Sequence, residues 1–362
     1  QKHQSDLSLN DFFTLLNSKN KSDEILEKLS VFSARLVLTA HPTQFYPQSV
    51  LNIISDLRKL VKKNDINHID QVLQQLGMTS LLNPKRPTPF EEAKNLTFYL
   101  KYVYYDAIGD LYWKIKHKLG TDDFDNHNII QLGFWPGGDR DGNPFVTSKT
   151  TMEVANDLRM SLMKCYYWDI KSLVLKLTFK GVDEIVRRLR DKLYIATYDS
   201  EKGIPYKEIL DPLLQVRDIV RSKNSGLYLD DLDRVIDKVK IFRSHFASLD
   251  IRQDHSVHYK AIETILVKEK LIQTSLEELD THELIKILTT KELLLDITQY
   301  NDDLIRDTFK TIISLKEIQQ KNGEIGCHRY IISNSEDMYS VLFVVALFRW
   351  CGWKGDALPF DI

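Results

Sequence analysis

Over 362 residues the chain carries 43% hydrophobic and 28% charged side chains, enough apolar surface for a sizeable core and too much for a disordered polymer. A formal net charge of −2 gives no broadly basic surface for nucleic acid or a membrane, and the longest apolar run, Val341 to Phe348, is too short to cross a bilayer. The three cysteines, Cys165, Cys327 and Cys351, have no CxxC spacing, which fits a reducing compartment and argues against a disulfide framework or a thiolate metal site.

Residues 5–31 have helical spacing, with Leu7, Phe12, Leu15, Leu16, Ile25, Leu26 and Leu29 on the apolar positions. A short apolar run near 35–40 then delivers His41 directly ahead of Pro42. The proline disfavours helical backbone at His41 and cannot donate to a sheet ladder, so the stretch reads as a strand presenting one titratable side chain at its mouth. An ordinary strand-to-loop turn is the alternative. Val50 to Val61 is amphipathic. Thr88, Pro89 and Glu91 form a capping box that opens a helix running to about Leu119.

A second strand near 128–135 leads into Pro136-Gly137-Gly138-Asp139-Arg140-Asp141-Gly142-Asn143-Pro144. Helical patterns cover 150–195, 210–222 and 229–242. A third strand near 246–251 runs on to Arg252 and Gln253, and a helix follows over 257–271. Ser275 with Glu278 reads as a second capping box, opening a helical region to about Gln319. A fourth strand near 330–333 precedes a helix over 335–350 closed by Gly352, and Leu358 to Ile362 reads as the start of another strand.

Strands separated by helical spacers pair in parallel. His41, the glycine turn, Arg252 and Ser333-Asn334 all follow strand ends. That is where a (β/α) barrel keeps its active site and where an open doubly wound sheet binds ligands, so the pattern alone does not separate the two. The glycine turn permits close backbone approach to an anion, but it lacks the lysine and Ser/Thr of a P-loop and the spacing of an EF-hand. A tight turn stitched by Asp–Arg pairs is the competing reading, with Arg140 partly neutralised by its neighbours. Arg252 suits bidentate capture of phosphate or carboxylate, or a structural pair with Asp250 two residues earlier. His255 and His258 lack a third partner at ligand spacing and read as a solvated helix start, so no metal site is assigned.

Taken together these segments resemble phosphoenolpyruvate carboxylase. Leu36-Val37-Leu38-Thr39-Ala40-His41-Pro42-Thr43-Gln44 looks like the family's first signature, and Phe134-Trp135-Pro136 through Pro144 with Val146-Thr147 looks like its second. Leu249-Asp250-Ile251-Arg252-Gln253 with His258 resembles a third, and Tyr330-Ile331-Ile332-Ser333 a fourth strand, all in family order from about residue 33 onward. The resemblance implies a single partial domain over 1–362, mostly α with a parallel β core: the first four strands of a helix-rich (β/α)8 TIM-type barrel. It implies a cytoplasmic lyase, a homotetramer when complete, needing Mg²⁺ or Mn²⁺ and joining bicarbonate to phosphoenolpyruvate to give oxaloacetate and phosphate. By position, His41 matches the catalytic base, Arg252 an arginine holding the substrate phosphate, and Trp135 a tryptophan near the pocket; Arg140 is a further substrate-binding candidate.

The family's metal-binding carboxylates and its Gly/Arg-rich loop are expected outside this chain, which is therefore expected to be inactive alone. A truncated, non-catalytic helical scaffold that binds a partner is the alternative. Phe45-Tyr46-Pro47-Gln48 carries no arginine pair after the histidine, which implies weak or absent sugar-phosphate activation.

Overall fold

The computed structural model describes residues 8–19, 22–39, 46–82, 87–120, 124–141, 143–273, 275–354 and 358–362. It is mostly helical around one four-stranded parallel sheet, an α/β architecture. The strands are β1 (Ala34–Leu38), β2 (Ile130–Phe134), β3 (Ser248–Asp254) and β4 (Arg329–Ser333), and they neighbour one another in sequence order. Register pairs Leu36 with Leu132, Phe134 with Leu249, and Arg252 with Ile331. Beyond β4, Asp361 bridges Arg329 in parallel, with Tyr330 N–H donating to Asp361 O at 2.9 Å.

Two helices, α1 (Leu9–Ser18) and α2 (Ser22–Val31), precede β1, where the sequence reads as one helical stretch. Between β1 and β2 lie α3 (Gln48–Lys63), α4 (Ile66–Met78), α5 (Pro89–Tyr99) and α6 (Tyr105–Leu119), the last two joined by a π-helical turn over Leu100–Tyr104. The Thr88–Glu91 capping box is present in both directions at the start of α5. Helix α4, which the pattern does not reveal, has no buried residue, so it leaves no core-facing stripe to read.

Between β2 and β3 run α7 (Ser148–Lys176), α8 (Asp183–Ala196), α9 (Tyr206–Lys223) and α10 (Leu229–Phe242). Helix α7 is the spine of the core, burying Val154, Leu158, Leu162, Tyr166, Ile170 and Leu173 against its neighbours. Between β3 and β4 come α11 (His255–Lys268), α12 (Thr281–Thr290) and α13 (Asp303–Asn322), and α14 (Met338–Trp350) follows β4. The expected helical region from Ser275 to about Gln319 is not continuous. Ser275 caps only a 3₁₀ turn, Leu276–Glu278, while Asp280 and Asp302 cap α12 and α13 by accepting backbone N–H bonds. Gly352 does close α14, at a φ of 87°.

Candidate active site

The C-terminal ends of β2 and β3 converge on one polar cluster. Trp135 leaves β2 with its backbone N–H on Leu38 O of β1 at 3.0 Å, which seats the residue at the strand mouth. Gly138 and Asp139 N–H both return to Trp135 O, at 2.8 and 2.9 Å, and close a tight turn. The turn then docks on β3: Arg252 N–H donates to Gly138 O at 2.8 Å, and Arg140 N–H to Arg252 O at 3.0 Å. A Cβ on Gly138 would stand 2.0 Å from Asp250 O, so only glycine permits this contact. The close approach read from the glycines is thus made to the protein's own strand, and the Asp–Arg-stitched turn is the form observed.

Side chains alternate along the extended stretch 139–141. Asp139 and Asp141 flank Arg252, with Nη1 at 3.3 Å from the first carboxylate and Nη2 at 3.1 Å from the second. Both separations exceed the 2.7–2.9 Å typical of a tight charge-assisted bond. One face of the guanidinium rests on the Trp135 indole, 4.2 Å from the ring centre. Arg252 keeps about a fifth of its side chain open, and its Nε is buried without a hydrogen-bond partner among the described residues.

Asp250 serves a different partner from the one its spacing suggested. Its carboxylate, buried at 2% side-chain exposure, accepts from Arg35 Nη2 at 2.5 Å and from the Trp135 indole N–H at 3.1 Å. Arg35 reaches it from β1 by crossing β2 at Gly133, where a Cβ would lie 2.8 Å from Nη2. Sequence reading left Arg35 without a role. The available signal was an arginine inside one apolar strand and an aspartate inside another, two charges that need each other when buried.

Arg140 points the opposite way from Arg252 and is not brought to it. Its guanidinium is buried, with Nη2 on Asp307 Oδ2 at 2.7 Å and Nη1 on Thr311 Oγ1 at 2.7 Å, both on α13. Asp307 also accepts from Ser148 N–H and Oγ–H at the start of α7, so one carboxylate ties the glycine turn to two helices. His258 is not a solvated residue either: it is fully buried on α11, 2.9 Å from Tyr330 Oη, and burial lowers its pKa to about 3. His41 lies outside the described residues.

Among the described residues no three His, Cys, Asp or Glu side chains group as a metal site. At the strand mouths Asp139 and Asp141 already face Arg252, and Asp254 accepts from Ser256 and Asn334, so these three carboxylates are not gathered for a divalent cation. No helix among them is long and apolar enough to cross a membrane.

The family model for phosphoenolpyruvate carboxylase matches residues 1–208 and 196–360. The chain is 25% identical to the phosphoenolpyruvate carboxylase of Synechococcus sp. over 421 residues, covering 94% of this chain and 40% of the relative. It is 27% identical to that of Shewanella loihica over 392 residues, covering 93% of this chain and 44% of the relative, and 26% identical to that of Aeromonas hydrophila over 295 residues, covering 69% and 34%. It therefore spans about two fifths of the Synechococcus and Shewanella relatives. With matches over nearly its whole length, the chain belongs to the phosphoenolpyruvate carboxylase family.

Proposed function

We propose that this chain supplies the N-terminal half of a phosphoenolpyruvate carboxylase active site, in which Arg252 holds the substrate phosphate against Trp135. The observation that carries the reading is a guanidinium 4.2 Å over the centre of an indole at the mouth of a parallel sheet, with carboxylates at 3.1 and 3.3 Å. A fixed cation there stabilises the charge that grows on a phosphoryl group in transfer, and the indole gives the wall that keeps water from a released CO₂ and an enolate. The reaction assigned is attack of bicarbonate oxygen on the phosphorus of phosphoenolpyruvate, breaking the bond to the enolate oxygen. The carboxyphosphate formed loses CO₂ to leave phosphate, with His41 as the base beside it, and the enolate carbon takes CO₂ to give oxaloacetate.

The sheet is read as the first four strands of an eight-stranded barrel, so that 1–362 is one partial domain. Sequential order without a switch point supports this over a doubly wound sheet, as do the Asp361 bridge on the outer edge of β4 and the exposed Leu36 and Val37 on β1. The complete protein is read as a cytoplasmic homotetramer using Mg²⁺ or Mn²⁺, with the cation held by residues beyond those described here. Arg140 is read as a scaffold residue. In the chain extended to the length of its relatives, replacing Asp307 and Arg140 together by Leu and Met should leave the KM for phosphoenolpyruvate unchanged, and a large rise would return Arg140 to the substrate.

A malate dehydrogenase-coupled assay tests the whole. The 362-residue chain with phosphoenolpyruvate, bicarbonate and Mg²⁺ is expected to show no turnover, and the same chain extended to the length of its relatives clear turnover. Turnover by the short chain would refute the half-site reading, and none from the long chain would refute the carboxylase.

A further inference from the structure

A second cluster of basic side chains lies at the opposite end of the sheet. A cavity of about 140 Å³ sits under the N-terminal ends of the strands, four residues back along β3 from Arg252 and so about 13 Å away. Among the described residues lining it are Arg35, Arg243, Arg329, His127, His245 and His328, and no carboxylate. Asp250 is taken by Arg35 and Trp135, and Asp361, largely exposed, comes only within 3.6 Å of Arg329 and of His328. Arg243 has no carboxylate at ion-pair distance among the described residues, and Arg329 Nη1 is buried without a hydrogen-bond partner.

Arg159, fully buried and with no carboxylate at ion-pair distance among the described residues, is satisfied by the Lys202 and Ser200 carbonyls and by the side chains of Asn322 and Asn156. Arginine charges gathered around a cavity are costly unless counter-charges balance them. The crowding has a visible effect: burial, then Arg243, His328 and Arg35, lowers the His245 pKa to about 3, and burial with Arg35 lowers that of Arg329.

We propose that this cavity is a binding site for a small oxyanion, held by Arg329 and Arg243 with Arg35 behind them. The volume admits a phosphate-sized ion together with waters. Planar guanidinium forks suit the paired oxygens of phosphate or carboxylate. The site is independent of the carboxylase reading, because it shares no ligand-facing residue with Arg252 and Trp135.

The test is calorimetric titration of the full chain at fixed ionic strength, carried out in the Arg252→Gln variant so that the strand-mouth arginine cannot supply the signal. Inorganic phosphate and acetate serve as the two probes. Saturable one-to-one binding of either is expected. It should weaken by about tenfold or more in Arg243→Gln and Arg329→Gln, and Arg243→Lys should recover part of it. Should Arg329→Gln fail to fold, the Arg243 variants decide alone. Absence of saturable binding by both probes, or binding that Arg243→Gln leaves unchanged, would overturn the proposal.

Discussion

The Arg252 guanidinium lies over the Trp135 indole at 4.2 Å from its centre, while the edge of that same indole donates to Asp250 at 3.1 Å. The tilt of the ring, and with it the seat of Arg252, is therefore set by a carboxylate that Arg35 holds from two strands away. Three strands thus contribute to the position of one cation.

Asp250→Asn removes the charge facing Arg35 and leaves a guanidinium buried to 19% side-chain exposure without its counter-ion. Breaking such a pair from one side costs about 3 kcal/mol, and urea unfolding should show a loss of that order. Adding Arg35→Met to the variant should restore at least about 1 kcal/mol, since no lone charge then remains. Strict additivity of the two changes would mean that the pair does not act as a unit.

The two glycines beside this pair should respond differently to alanine. At Gly138 the new Cβ meets the Asp250 carbonyl at 2.0 Å, a backbone atom that cannot step aside. At Gly133 it meets the far end of the Arg35 side chain at 2.8 Å, which can move. Thermal melts should therefore show Gly138→Ala losing about 3 kcal/mol or more and Gly133→Ala about 1 kcal/mol. Equal losses would mean that the turn is free to leave β3.

What the sequence revealed follows from how each feature is encoded. All four strands were legible, because short apolar runs between long helical patterns leave few other readings, and the Thr88–Glu91 cap was written in adjacent residues. Strand ends were less so: β3 reaches Asp254 because β4 pairs with it that far, a tertiary fact absent from residues 246–254. The same limit governs the site. Arg252 could be singled out by type and position and Trp135 by the family resemblance, but their contact could not. Spacing within one strand suggested an Asp250–Arg252 pair, whereas the partners chosen come from β1 and from the turn after β2. His258 misled for a related reason, since its burial depends on Tyr330 of a strand 72 residues away.

His245 and His258 give the fold a pH dependence of definite sign. Both pKa values are lowered to about 3, first by burial, then by the Arg243 charge at His245 and by His255 at His258. An unfolded histidine titrates near 6.5, so between about 6.5 and 3 the unfolded chain binds the extra protons and stability falls as pH falls. Each histidine contributes a slope of up to about 1.4 kcal/mol per pH unit in that window and nothing above it. Urea midpoints should be flat from pH 8 to 7 and drop from pH 6.5 to 5, before most carboxylates titrate. His258→Gln, which can still hydrogen-bond Tyr330, should show a shallower drop. An unchanged midpoint down to pH 5 would contradict the buried, neutral state of both rings.

The central claim is that Arg252 on Trp135 is where phosphoenolpyruvate places its phosphate. The direct measurement is the kcat/KM for phosphoenolpyruvate of the Arg252→Gln variant, made in the chain extended to the length of its relatives and compared with the parent. Loss of a charged partner of a developing phosphoryl charge predicts a fall of at least about a hundredfold, with Arg252→Lys intermediate. A variant that keeps its kcat/KM within a factor of two or three would contradict the account, and the substrate phosphate would have to be sought elsewhere.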